Sequence, residues 1–145
     1  MCASGCFDLL HPGHIRFLEH ANSLGGVLVV LIENDAAIRA RSASGNGSHR
    51  NSPARPITPA PERAEILAAL AAVDYVVEFE GASPREFLMR LVPDVIVIGG
   101  SASSDPAAHR EAGELEALGC KIARIPLEPG FSTTRLIERI LELRV

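Results

Sequence analysis

The chain has 145 residues, of which 47% are hydrophobic and 22% charged, a composition typical of one globular domain over residues 1–145. Its net charge of −4 gives no overall attraction to nucleic acid or to a membrane surface, so we expect neither as a partner. No apolar run reaches the roughly 18 residues of a membrane span, and no basic-then-apolar leader opens the chain. These features indicate a cytoplasmic protein.

The cysteines lack the CxxC spacing of zinc and redox sites; they are Cys2, Cys6 and Cys120. We predict plain thiols in a reducing compartment, and no metal site built from them.

Short runs rich in Val and Ile alternate along the chain with longer helical patterns. The strands are expected at Met1–Cys6, Gly25–Asn34, Val73–Phe79, Pro93–Gly100 and Cys120–Leu127. The helices are expected at His14–Leu24, Pro61–Ala72, Pro84–Leu91, Pro106–Leu118 and Thr133–Leu143. Strands this apolar suit a sheet that is covered on both faces, and the alternation suits parallel pairing. We therefore predict a Rossmann-like α/β fold, an open parallel five-stranded sheet with helices on both faces.

One stretch, "RARSASGNGSHRNSPARP" (Arg39–Pro56), breaks this alternation with Ser, Gly, Asn and Pro. It contains four arginines and a histidine, which are Arg39, Arg41, Arg50, Arg55 and His49. We predict a flexible loop, either simply solvated or acting as a cationic flap over an anionic substrate. Its place after the second strand, where α/β sheets bind ligands, favours the flap.

The segment "GCFDLLHPGH" places His11 and His14 where the first strand leads into a helix. Pro12 and Gly13 suit a helix entrance, whose free N–H groups and positive dipole end attract anions. Two imidazoles at this position indicate an anion site, and in particular a phosphate site. A zinc site is the weaker alternative, because no third ligand is close in sequence.

This segment resembles the HxGH signature of the cytidylyltransferase-like nucleotidyltransferases, in which a Gly-x-Phe-Asp stretch precedes the histidines. "RPITPAPERAEILAALAAVDYVVEF" is similar to the segment with that family's nucleotide-contacting arginine, and "GFSTTRLIERI" matches its second signature. The resemblance implies an enzyme that transfers a nucleotidyl group from a nucleoside triphosphate to a phosphorylated small molecule, releasing pyrophosphate. It also implies Mg²⁺.

The resemblance assigns roles to residues of this chain. The catalytic residues would be His11, His14 and Arg63, with Arg63 holding phosphate oxygens. The nucleotide would be bound by Gly5, Cys6, Phe7, Gly13, Gly99, Ser132, Thr133 and Thr134. Plain helix capping is a second explanation for the Ser-Thr-Thr cluster, and it is compatible with the first.

The phosphorylated acceptor would be bound by Asp8, Asp35, Arg39, Arg41 and Arg55. For Asp35, a cap on a helix beginning at "AAIRA" is the alternative. We also expect that exposed apolar helices could support a homodimer.

Among subfamilies, the heptose-phosphate adenylyltransferases look most similar, through Arg55–Pro56, "LAALAAVDYVVEF", "PDVIVIGG" and "GFSTT". This implies ATP and a sugar 1-phosphate. The chain departs from that pattern at Ile98, where a Lys is usual, at Ser101–Ala102, where Asp-Tyr is usual, and at Ala3–Ser4. The alternatives are a cytidylyltransferase acting on glycerol 3-phosphate, whose motif has an Arg where this chain has Leu127, and a nucleotide-binding module without turnover.

Overall fold

A computed structural model describes residues 1–43, 54–81, 83–99, 106–126 and 128–143. The strands are β1 (Cys2–Gly5), β2 (Val29–Glu33), β3 (Tyr75–Phe79), β4 (Val95–Gly99) and β5 (Lys121–Ile125). The helices are α1 (Pro12–Ser23), α2 (Asp35–Ala43), α3 (Ala60–Ala68), α4 (Arg85–Leu91), α5 (Pro106–Ala117) and α6 (Thr133–Glu142). Within the described ranges, none of these helices is long and apolar enough to cross a membrane.

The five strands form one sheet in the order β3-β2-β1-β4-β5, and every neighbouring pair is parallel. The predicted fold class is therefore confirmed. β1 lies at the centre of the sheet, with β2 on one side and β4 on the other. The order of strands reverses beside β1, and at such a point the loops that follow the strands leave a crevice for ligands.

Successive residues of a strand point to opposite faces, so each face of the sheet has its own core. In β4, Val97 belongs to one buried cluster, whereas Ile96 and Ile98 belong to the other. The first cluster includes Leu18 of α1 and Leu67 of α3; the second includes residues of α4 and α5. Helices thus cover both faces, which explains why the inner strands β2 and β4 are almost entirely apolar.

Helix α2 corrects the prediction of a loop that begins at Arg39, because the first five residues of that stretch are helical. The helix contains four alanines, Ile38 is buried against the core, and the Asn34 side chain accepts a hydrogen bond from the N–H of Ala37 at 2.7 Å. Alanine content and a cap outweigh the loop-like Ser and Arg composition. Residues 44–53 of the predicted flap, with His49 and Arg50, lie outside the described residues, and its last residues, including Arg55, are described.

Candidate active site

The two histidines lie at the start of α1, in the crevice beside the end of β1. His11 is the N-cap, with extended backbone, and Pro12 occupies the first turn. The rings of His11 and His14 stack with centroids 3.8 Å apart and planes 18° apart, and the N–H of His11 points to Nδ1 of His14 at 3.4 Å. The helix start and the Pro thus fix the pair at a helix N-terminus, where anions bind favourably.

The loop between β1 and α1 has a strained backbone. Phe7 and Leu9 both have left-handed φ values, 50° and 51°, which residues other than glycine rarely adopt. The ring of Phe7 is buried, lies 5.5 Å from the ring of His14, and covers Gly5, where a Cβ would approach it to 2.9 Å. Burial raises the pKa of the nearby Cys6 thiol. Strain of this kind concentrates at functional sites and persists only where the surrounding packing enforces it.

The Ser-Thr-Thr cluster opens α6 and meets the histidine loop. Ser132 is the N-cap of α6, and its Oγ accepts a hydrogen bond from the N–H of Arg135 at 3.1 Å. Thr133 Oγ1 donates to the backbone oxygen of Asp8 at 3.1 Å. The capping explanation is thereby confirmed for Ser132. The N-termini of α1 and α6 converge on one crevice, although the two signatures lie at opposite ends of the chain.

Arg63 is buried, with 1% of its surface exposed, and it is held by protein groups. Its Nε donates to the carbonyl of Thr58 at 2.9 Å, and Nη1 to that of Cys6 at 2.6 Å. Its Nη2 donates to the carbonyl of Glu33 at 2.8 Å and to Oδ1 of Asp35 at 2.7 Å. The phosphate contact that the resemblance implies would require this network to open. Arg63 instead ties together the ends of β1 and β2.

Asp8 is also buried, and both of its carboxylate oxygens are engaged. They accept hydrogen bonds from the N–H groups of Ile57 and Thr58, each at 2.9 Å. Nε of Arg55 lies 2.7 Å from Oδ2 of Asp8, as an ion pair whose angle does not satisfy hydrogen-bond geometry. The expected contact of Asp8 with the acceptor stays a prediction. Asp8 holds the 55–58 segment against the histidine loop.

Asp35 is likewise turned toward the protein. Its Oδ1 accepts from the N–H of Ala60 at 3.0 Å and pairs with Arg63. The cap of α2 is Asn34 and not Asp35, because the Asn34 side chain binds the N–H of Ala37. The capping alternative for Asp35 is therefore wrong for α2, and the carboxylate links α2 to α3.

The predicted arginines fall in two places. Arg39 and Arg41 are exposed on α2, and Arg41 pairs with Glu33 at 2.5 Å. Arg55 lies beside the histidine pair, close enough that its charge lowers the pKa of His14. The structure thus brings Arg55 to the site and leaves the other two on a neighbouring helix.

Two glycines of the predicted nucleotide site lie close to neighbouring side chains. A Cβ on Gly13 would lie 3.1 Å from the ring of His11 and from Cβ of Phe131. A Cβ on Gly99, the last residue of β4, would lie 2.3 Å from the ring of Phe17. A larger residue at Gly99 would displace the Phe17 ring, and one at Gly13 would press on His11 and Phe131.

Burial makes the histidine pair neutral. The pKa of His14 is lowered to about 4, chiefly because the ring is buried and also because His11 and Arg55 place positive charge beside it. Burial also lowers the pKa of His11. At neutral pH each imidazole therefore offers one N–H donor and one acceptor nitrogen. Nδ1 of His11 is buried against the start of α1, where the His11 side chain faces the backbone N–H of His14 in a capping box.

The described residues do not fit a resident magnesium ion. No cluster of three or more His, Cys, Asp or Glu side chains in those ranges could hold a metal. Mg²⁺ prefers carboxylate oxygens, and both oxygens of Asp8, next to the histidines, are already engaged.

Two residues of the site were not identified from the sequence. The ring of Phe131 lies 6.4 Å from that of His11 with planes 20° apart, and Cζ of Arg16 lies 5.2 Å from the centroid of Phe131. Arg16 also forms an ion pair with Glu128. Phe131 lies within the quoted "GFSTT", but no sequence pattern predicts that its ring contacts the ring of His11.

Two positions at which the chain departs from the adenylyltransferase subfamily pattern, Ile98 and Ala3, are buried in the core. Ser101, Ala102 and Leu127 lie outside the described residues.

Comparison with known families gives a match over nearly the whole chain. The sequence model described as "Cytidylyltransferase-like" matches residues 2–139. This range includes both signatures and all the residues assigned above.

Curated relatives match at the level of sequence. "Bifunctional protein HldE" of Syntrophotalea carbinolica is 40% identical over 139 residues, which are 96% of this chain and 26% of that protein. The protein of the same name from Koribacter versatilis is 43% identical over 136 residues, which are 94% of this chain and 26% of that protein. The chain thus spans about a quarter of the length of these relatives.

Solved structures share the fold. The lipopolysaccharide core biosynthesis protein from Thermoplasma volcanium superposes with a TM-score of 0.64 at 26% identity, over 88% of this chain and 93% of that one. Pantoate-beta-alanine ligase from Francisella tularensis superposes with a TM-score of 0.55 at 15% identity, over 99% of this chain and 71% of that one. The second likeness concerns the fold alone.

Proposed function

Because the chain belongs to the cytidylyltransferase-like family, we propose that it transfers the adenylyl group of ATP to a sugar 1-phosphate and releases pyrophosphate. The family match supports nucleotidyl transfer. The choice of ATP and of a heptose-type sugar rests on the resemblance to the heptose-phosphate adenylyltransferases. The name of the Thermoplasma volcanium relative, a lipopolysaccharide core biosynthesis protein, also supports a sugar acceptor.

One observation carries the proposal: a stacked pair of neutral histidines at the N-terminus of α1 meets the N-terminus of α6. Two helix N-termini with free N–H groups favour a polyanion more than any neutral ligand. The imidazoles of His11 and His14, both neutral at pH 7, can each donate an N–H to a phosphate oxygen. A triphosphate meets both conditions.

In the proposed reaction an oxygen of the sugar phosphate attacks the α-phosphorus of ATP. A new P–O bond forms, the bond from the α-phosphorus to the bridging oxygen breaks, and pyrophosphate leaves with that electron pair. Such a transfer needs positioning and charge stabilisation more than covalent help from the protein. His11 and His14 would donate N–H groups to the triphosphate, and the start of α6 would hold the β- and γ-phosphates.

The other residues of the site either contact the substrates or position the loops that carry such contacts. Arg55, held by Asp8, would place its charge on phosphate beside His14. Arg39 and Arg41 remain proposed acceptor contacts. Asp8 and Asp35 also remain proposed acceptor contacts and Arg63 a proposed phosphate contact, and all three position the loops around the site. The remaining proposed nucleotide contacts, made at the crevice, are Gly5, Cys6, Phe7, Gly13, Gly99, Ser132, Thr133 and Thr134.

Mg²⁺ would enter this reaction as part of the substrate, bound to the triphosphate and not to a protein site. We also propose a homodimer, for which the apolar residues exposed on α6, such as Ile140 at 51% exposure, are the support. A cytoplasmic location remains our prediction, consistent with the free thiols of the three cysteines.

The test is pyrophosphate release with magnesium and either ATP or CTP, against sugar 1-phosphates and glycerol 3-phosphate. We expect release with ATP and a heptose 1-phosphate, and a roughly 10²–10³-fold lower kcat for His14→Ala. His20→Ala, an exposed histidine of the same helix, is the matched control and should behave as wild type. Release with CTP and glycerol 3-phosphate would reassign the substrates. Full activity in His14→Ala would refute the proposed role of the pair.

A further inference from the structure

Phe131 contacts the histidine pair although it carries no group that could bind phosphate through a charge or hydroxyl. It precedes Ser132, the N-cap of α6, and is half-buried. Its ring lies nearly parallel to that of His11, with centroids 6.4 Å apart, within the range of favourable aromatic contacts. His11 in turn stacks on His14 at 3.8 Å. The three rings therefore form one stack that ends at the loop before α6.

The loop that carries Phe131 is itself fixed to α1. Cζ of Arg16 lies 5.2 Å from the ring centroid of Phe131, in a cation–π contact. The Arg16 guanidinium also pairs with Glu128 of the same loop. Two contacts from one arginine thus hold the aromatic residue beside the helix that carries the histidines.

The space around His11 is restricted on a second side. At Gly13, a Cβ would approach both the His11 ring and Cβ of Phe131 to 3.1 Å. The imidazole therefore sits against the backbone of α1 and the side chain of Phe131 at once. Its Nδ1 is buried and faces the backbone N–H of His14, so the same packing keeps this edge of the ring on the helix start.

We infer that Phe131 is a positioning residue for nucleotidyl transfer, which holds the His11 imidazole parallel to His14 and links the Ser-Thr-Thr loop to the histidine loop. This inference rests on the proposed function. The flat ring is the property that matters, since Leu would fill similar space without a face for an imidazole or a guanidinium.

The test compares Phe131→Leu, which loses the ring, with Phe131→Tyr, which keeps it. Tyr75→Leu, at an aromatic residue that is 63% exposed on the edge strand β3, is the matched control. Two quantities are measured: the pKa of His11 by NMR titration of its ring, and kcat and KM for ATP from pyrophosphate release. The protein is used as the full chain throughout, and His11→Ala identifies the His11 resonances.

We expect Phe131→Leu to raise the pKa of His11 toward its ordinary value, because the loosened ring gains water. We expect kcat to fall roughly tenfold with little change in KM, as for a small displacement of a catalytic group. Phe131→Tyr and Tyr75→Leu should match wild type in both measurements. A purely structural role would change thermal stability and leave the His11 pKa and the kcat of the folded enzyme unaltered.

The inference is overturned if Phe131→Leu keeps the wild-type His11 pKa, or if Leu and Tyr lower kcat equally. A wild-type protein that releases no pyrophosphate with any substrate pair would contradict the proposed function. The pKa comparison would still decide whether Phe131 positions His11.

Discussion

At the scale of the residue, the charge state of the histidine pair determines what it can do. Two imidazolium ions stacked at 3.8 Å would repel each other, and burial removes the water that would stabilise them. The neutral pair can donate hydrogen bonds to phosphate and leaves positive charge to Arg55 and the helix N-termini. The sequence could not decide this, because the burial and the neighbouring Arg55 that lower the pKa arise only in the folded chain.

The low pKa of His14 predicts that the folded protein loses stability in mild acid. The pKa is about 4 in the folded protein and 6.5 for an unperturbed histidine, so between these values the unfolded chain binds more protons. Stability therefore falls as the pH drops from 6.5 toward 4. His14→Gln removes this titration, and its Tm should fall less than that of wild type between about pH 7 and about pH 4.5.

Thermal melts of both proteins at the two pH values measure this difference. His20→Gln, at an exposed position of α1, is the control and should follow wild type. Equal falls in Tm for His14→Gln and wild type would show that His14 already titrates normally in the folded protein.

At the scale of the element, buried charges join loops that are far apart in sequence. Arg63 of α3 reaches the ends of β1 and β2 and the start of α2, while Asp8 of the β1–α1 loop holds the backbone of residues 57 and 58. The resemblance identified both residues as important but implied contacts with ligands. It could not reveal the network, because the partners of Arg63 come from three separate segments of the chain. Arg63 and Asp8 together fix the loops that border the crevice in which the histidines lie.

We predict that Arg63→Met strongly destabilises the protein, because it leaves the Asp35 carboxylate and three carbonyl groups without their donor. The expected loss is roughly 3–5 kcal/mol in the free energy of unfolding. Arg85→Met breaks an ion pair with Glu114 in which both side chains are about half exposed, and should cost less than about 1 kcal/mol. Urea unfolding of the two variants and of wild type measures both losses in the free energy of unfolding. Similar losses for the two variants would mean that the Arg63 network contributes no more than a surface pair.

The elements themselves were largely predictable. Runs such as "VLVVLIEN" and "PDVIVIGG" predict strands because they are short, β-branched and apolar on both faces, as the two buried clusters require. Helix α2 was missed where it enters the Ser- and Arg-rich stretch. Its formation depends on the burial of Ile38 and on the Asn34 cap, which composition alone does not show.

At the scale of the whole molecule, the parallel sheet brings the two signatures together. Since the carboxyl ends of parallel strands share one edge, the alternation of strands and helices predicts that the loop after β1 and the loop after β5 face the same crevice. The contact between Thr133 and the backbone of Asp8 agrees with this expectation. The stack of Phe131 on His11 was not foreseeable, because side-chain packing across loops has no periodic signal in sequence.

The most direct test of the proposed adenylyl transfer is to follow the α-phosphate of ATP into the products. With ATP labelled at the α-phosphate and a heptose 1-phosphate as acceptor, we predict that the label appears in a sugar nucleotide, in equal amount to the pyrophosphate released. With γ-labelled ATP the label should appear only in pyrophosphate. If the α-label never reaches the sugar, or if the γ-label does, the chain does not transfer an adenylyl group and the account is wrong.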